Sequence, residues 1–156
     1  MPRRGKITKR KIQPDSKYGS VMVQKFINRI MTAGKKSTAE NIVYNAMSAV
    51  AGKTGKDPLE VFETAIKNAV PLMEVKSRRV GGSTYQIPIE VERDRGLSIS
   101  MKWIKESAES RPGKSMAEKL SSELMDVFAG TGGAMKKKED LHKTAESNKA
   151  FAHFRW

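Results

Sequence analysis

The chain has 156 residues, a formal net charge of +13 from 30 Lys and Arg against 17 Asp and Glu, and no cysteine. That length supports one domain with a sizeable core, and the lack of thiols excludes a disulfide scaffold, a thiolate metal site and a cysteine nucleophile. The start "MPRRGKITKRKIQPD" has no signal-peptide apolar stretch and no run reaches the ~20 apolar residues that span a bilayer, so a cytosolic protein with no membrane partner is expected.

The first feature along the chain is a basic arm, residues 1–19. Residues 1–36 hold 11 Lys and Arg against Asp15 alone, whereas residues 37–130 carry 13 of each sign and residues 131–156 carry 6 basic and 3 acidic. The excess is therefore terminal. A solubilising surface mixes its signs, while a one-sign segment this dense repels itself unless a polyanion lies against it. Nucleic acid is the expected partner, through Arg3, Arg4, Lys6, Lys9, Arg10 and Lys11.

Residues 20–70 read as three helices. Val23, Phe26, Ile27 and Ile30 follow the i, i+3, i+4, i+7 spacing of one apolar stripe in a helix expected to end near Gly34. Ala39, Ile42, Val43, Ala46, Met47 and Val50 repeat it, with Gly52 and Gly55 closing the second helix. In "GKDPLEVFETAIKNAVP", Asp57 is an N-cap, Pro58 suits the first helical position and Glu60 completes a capping box before Phe62, Ala65, Ile66 and Ala69.

Residues 71–91, "PLMEVKSRRVGGSTYQIPIEV", break the helical pattern and read as a β-hairpin. Tyr85, Ile87, Ile89 and Val91 alternate with Thr84, Gln86, Pro88 and Glu90, giving one apolar face that Met73 and Val75 should meet. A two-residue Gly81-Gly82 turn would pair Val80 with Ser83 and set Lys76 against Ile87, so an odd-length loop or a bulge is expected instead. A two-stranded ribbon is marginal alone. Its base (Met73, Val75, Ile87, Ile89, Val91) should rest on the helices, and its tip (Lys76, Arg78, Arg79, Gly81, Gly82) should reach a ligand.

Residues 92–150 return to helix. Leu97, Met101, Ile104 and Ala108 share a face before Pro112-Gly113, and Ser115 with Glu118 caps a fifth helix carrying Leu120, Leu124, Val127 and Phe128. A sixth, from about Gly133 to about Asn148, is polar enough to need an outside partner, and Lys136, Lys137 and Lys138 suggest phosphate. In the tail, residues 151–156, Phe151, Phe154 and Trp156 either fold back on the core or stack with Arg155 on unpaired bases.

Some features invite over-reading. Gly52-Lys53-Thr54 and Gly113-Lys114-Ser115 resemble the end of a phosphate-binding loop, but both lack the upstream Gly and the preceding strand, and read better as helix-terminating turns. His142 and His153 are 11 apart without a nearby Cys, so neither a metal pair nor a catalytic dyad is supported, and of the nine Met residues Met47, Met101, Met116 and Met125 fall in or beside helical repeats as core filler. No cofactor, metal, small-molecule substrate or catalytic residue is expected. A DNA-architecture protein with a basic β-arm is the alternative that composition leaves open.

Four segments carry a resemblance: "PRRG" at the start, "MTAGKKSTAENIVYNAM" at residues 31–47, the hairpin, and "GGAMKKKEDLHKTAESNKAFAHFRW" at the end. In order and over the whole length they resemble the bacterial type of small-subunit ribosomal protein seven. The resemblance implies a mainly α fold, six helices with an extended hairpin, in one rRNA-binding domain. It also implies a primary binder of the 3′ major domain of small-subunit rRNA that nucleates head assembly. Its position would be at the subunit interface near exit-site tRNA and the mRNA exit path, beside proteins nine and eleven. Lys35 and Lys36 of the family's "GKK" turn and Lys114 then become rRNA contacts, and the hairpin tip faces tRNA and mRNA.

Overall fold

In the computed structural model, which describes residues 11–154, two helices begin at residues whose side chains cap them. The Asp57 carboxylate accepts the Glu60 amide at 3.3 Å and Pro58 occupies the first position of α3 (Pro58–Ala69). Ser115 likewise accepts the Glu118 amide at 3.3 Å to start α5 (Met116–Phe128). Each such cap contributes about 1 kcal/mol. The first helix, α1 (Val21–Ile30), is shorter than expected: the chain leaves it at Met31, and Ala33 and Gly34 both take positive φ to turn towards α2 (Lys36–Thr54). Gly52 lies inside α2, and Gly55, at φ 65, ends it alone.

These helices, with α4 (Arg93–Ser110), form one core. The apolar stripes meet as their spacing requires, with Val23, Phe26, Ile27, Val43, Met47, Phe62, Ile66, Ile104, Leu120 and Leu124 at most 1 % exposed. The Phe26 and Phe62 rings pack tilted with centroids 5.3 Å apart, and full burial of each such side chain contributes roughly 1.5–3 kcal/mol.

The joint from α4 through α5 to α6 (Gly133–Ser147) is polar and buried. Glu123, 0 % exposed, takes the Arg111 guanidinium at 2.5 Å and the Ala134 amide at 2.9 Å, while Asp126 holds the other side of Arg111. Burial pulls the Arg111 pKa down, and the bonds to Asp126 and Glu123 outweigh it to hold the guanidinium above its ordinary value. A Cβ at Gly133 would stand 3.0 Å from both Cβ and Oγ of Ser107, so a side chain there would press on Ser107.

The hairpin pairs β1 (Met73–Val80) with β2 (Ser83–Glu90), antiparallel, in a register that corrects the sequence expectation. Val80 faces Ser83, Lys76 faces Ile87 and Val75 faces Pro88: the two-residue turn is the one formed. Gly81 and Gly82, at φ 57 and 92, supply the two positive φ values that a type I′ turn demands. The expected face match fails because the polar members of β1 find partners of their own. Glu74, 7 % exposed, bonds Arg95 at 2.7 Å and lies 3.8 Å from Lys76. The base rests on α6 and on the 3-10 helix Lys149–Phe154, not on the bundle core.

Candidate nucleic-acid interface

Two adjoining cavities mark one face, the first polar and the second with an apolar floor. The first, about 410 Å³, is lined by Ile12, Gln13, Pro14 and Ser16 with Gln24 and Asn28 of α1 and Lys36 and Glu40 of α2. The second, about 240 Å³, shares Ile12 and Asn28 and adds Lys25, Arg29, Asp94, Leu97 and Ser98. The root of the arm thus crosses α1 between the starts of α2 and α4. Arg29 donates to Ser98 Oγ, and Lys105 Nζ donates to the Arg29 carbonyl at 3.2 Å, fastening α4 to α1 below this face.

The root is held by Asp15, 3 % exposed. Its carboxylate accepts the Tyr44 hydroxyl and the amides of Lys17 at 3.1 Å and Tyr18 at 2.9 Å. Burial first, and then the bond to Asp15, raise the Tyr44 pKa, so the phenol keeps its proton as a donor.

At the ribbon tip Arg78 and Arg79 are exposed and have no carboxylate within ion-pair distance among the described residues. Lys35 and Lys36 are exposed at the start of α2, Lys36 lying 3.7 Å from Glu40, and Lys114 is exposed in the loop before α5. The run on α6 is divided. Lys136 is exposed, but Lys137 bonds Glu106 at 2.7 Å and Lys138 bonds the Asn68 carbonyl at 2.6 Å. The Lys137 bond, against the opposing effect of burial, lowers the Glu106 pKa. α6 therefore meets its need for a partner inside the protein.

The tail also finds a protein surface. Phe151 and Phe154 pack on Tyr85 of β2 with ring centroids 5.1 and 5.5 Å away, so these aromatics cover the ribbon instead of the bundle core. Arg3, Arg4, Lys6, Lys9, Arg10, Arg155 and Trp156 lie outside the described residues. Among the described residues no group of three or more His, Cys, Asp or Glu could hold a metal ion, and no helix is long and apolar enough to cross a membrane.

Residues 2–149 match the family model of ribosomal protein S7p/S5e. The chain is 59 % identical to small ribosomal subunit protein uS7 of Pelotomaculum thermopropionicum, with both chains covered in full. It is 56 % identical to the proteins of that name from Dictyoglomus turgidum and Aromatoleum aromaticum, again over all of both chains. The chain belongs to the S7 family. It is a constituent of the small ribosomal subunit and so of the translation apparatus, which leaves the DNA-architecture reading without support.

For this S7 family member, sequence reasoning did not single out Lys25 and Arg93 as candidate contacts. Lys25 and Arg93 have no carboxylate within ion-pair distance among the described residues, and Arg93 and Arg95 are exposed where α4 begins beside the hairpin. The signal was present in "VERDRG", where acidic and basic residues alternate at a helix start, but their apparent neutrality hid which cations face outward.

Proposed function

We propose that the chain binds the 3′ major domain of small-subunit rRNA directly and nucleates folding of the subunit head. The ribbon tip then lies on the side of exit-site tRNA and mRNA, with ribosomal proteins nine and eleven as neighbours. The observation that carries this reading is the sorting of cations. Lys25, Arg78, Arg79, Arg93, Lys114 and Lys136 have no carboxylate within ion-pair distance among the described residues, whereas Arg95, Arg111, Lys137 and Lys138 are bonded within the protein.

The chemistry follows from repulsion. A multi-helix RNA junction brings phosphates together as it folds, and a rigid body carrying outward cations lowers that repulsion in one arrangement only. Phosphate contacts of this kind position the RNA without reading its bases. Lys35, Lys36, Lys114 and Lys136 serve on the body, with residues 3–11 as an arm. Lys137 and Lys138 contribute indirectly by fixing α6, since their ammonium groups are engaged on Glu106 and Asn68.

The test is binding to a 3′ major domain fragment of rRNA over a range of salt. Each phosphate contact adds roughly 0.7–0.9 to the slope of log affinity against log salt, so deleting residues 1–11 should flatten the slope by several units without lowering the melting temperature. Equal affinity for duplex DNA at about 150 mM salt would overturn the specific reading.

A further inference from the structure

Asp15 is the sole acid among residues 1–36, yet no Lys or Arg pairs with it among the described residues. Its carboxylate is spent on neutral donors: the Tyr44 hydroxyl and the Lys17 and Tyr18 amides. The backbone joins in, with the Gly19 amide donating to the Asp15 carbonyl at 2.9 Å and the Asp15 amide to the Ser20 carbonyl at 3.3 Å. Lys17, two residues away, instead places its ammonium over the Tyr18 and Tyr44 rings, 5.4 and 5.2 Å from their centroids. Those rings meet edge to face at 6.0 Å.

A buried carboxylate bonded to amides on one oxygen and to a phenol on the other fixes a chain direction. Here the chain N-terminal to it runs through Pro14, Gln13 and Ile12 across α1, to the face that holds Lys25 and Arg29. Without this fixation the root would have to be ordered again on each binding event, at a cost in conformational entropy. We propose that Asp15, bonded to Tyr44, is a positioning residue for RNA binding: a latch that holds residues 12–14 across α1 and so fixes the point from which the basic arm departs. The inference rests on the reading that residues 1–11 contact rRNA.

Charge and geometry predict opposite outcomes for its removal. Asp15→Ala raises the net charge by one, so electrostatics alone tightens binding to RNA. A latch predicts weaker binding, by about tenfold, equivalent to re-ordering about one residue. The experiment measures affinity of the full chain for the 3′ major domain rRNA fragment with Asp15→Ala, with Tyr44→Phe, and with each combined with deletion of residues 1–11. Tyr44→Phe keeps the ring contacts and removes one donor, and gives a smaller loss in a protein that folds as before.

Both losses should vanish in the arm-deleted background. A loss of the same size with and without the arm would show that the latch acts on the body, and would overturn the proposal. So would unchanged or tighter binding of both variants while the arm deletion still weakens binding, in which case the arm reading stands alone. An arm deletion without effect would remove both. Hydrogen exchange gives a second readout: the Lys17 and Tyr18 amides should lose protection in Asp15→Ala while the amides of α2 keep theirs, and unchanged protection of the former would also sink the latch.

Discussion

Lys136, Lys137 and Lys138 on α6 and Lys76, Arg78 and Arg79 on β1 are two basic clusters of similar density, and the fold uses them in opposite ways. On α6, which lies against α3 and α4, two of the three ammonium groups close bonds of 2.7 and 2.6 Å within the protein. At the ribbon tip Arg78 and Arg79 remain outside any such bond among the described residues, and Lys76 shares a carboxylate that Arg95 holds more closely. A run of cations is thus a fastener or a contact according to what its element packs against. Charge density alone does not separate the two.

The largest expected effect sharpens this within the ribbon itself. Ile87, 1 % exposed, belongs to the base, and Ile87→Ala should destabilise the protein by about 2–5 kcal/mol, read from the urea midpoint. Lys76, Arg78 and Arg79 changed together to Ala should move that midpoint within about 0.5 kcal/mol. The same triple variant in assembled subunits should alter exit-site tRNA retention or reading-frame maintenance. A tip variant that melts early, or one normal in both assays, would break the division between base and tip.

A smaller effect compares neighbouring lysines. Lys138→Ala removes the bond to the Asn68 carbonyl and should cost about 1 kcal/mol. The Lys137 bond to Glu106 joins side chains that are each 40 % exposed, so Lys137→Ala should cost less than about 1 kcal/mol. Lys136→Ala should leave stability unchanged and instead lower the salt slope of RNA binding by roughly 0.7–0.9. The reverse assignment, with Lys136 holding stability and Lys138 the salt slope, would show that the bonds do not decide the role.

Much of this was legible in the sequence because it is local. The N-caps Asp57 and Ser115 lie three residues from the amides they accept, and the i, i+3, i+4 stripes of α1 and α3 name most of their own buried residues, whereas in α5 Phe128 is half-buried and Glu123 is buried in its place. The outward tip and the arm's charge were legible for the same reason. The hairpin register was misread because a face was assumed to be apolar on both strands, whereas Glu74 satisfies itself on Arg95, 21 residues away. The tail was undecidable for the same cause at longer range: Phe151 meets Tyr85 only once α6 has docked and turned the chain back. Likewise nothing near Lys137 or Lys138 announces Glu106 or Asn68, 31 and 70 residues distant.

The smallest effect is a pH dependence at the seam between the two clusters. The Leu72 amide, at the foot of the ribbon, donates to His142 Nε2 at 3.0 Å, so the imidazole must be neutral on that nitrogen. Burial, and after it the charge of Lys138, hold its pKa below the ordinary 6.5. As pH falls the unfolded chain therefore takes up the proton before the folded one does. The contribution of His142 is complete above the ordinary value and declines as pH drops from there towards the lowered folded value. Glu146 and Lys149 line the same cavity and oppose each other in sign. Urea midpoints taken between about pH 7 and 5 should fall less steeply for His142→Gln, which can still accept the Leu72 amide, than for the native chain. Lys138→Ala should raise the His142 pKa and narrow the window, because the repelling charge is gone; an NMR titration of His142 reads this directly. Identical slopes for native and His142→Gln proteins would mean that the ribbon's foot does not depend on this bond.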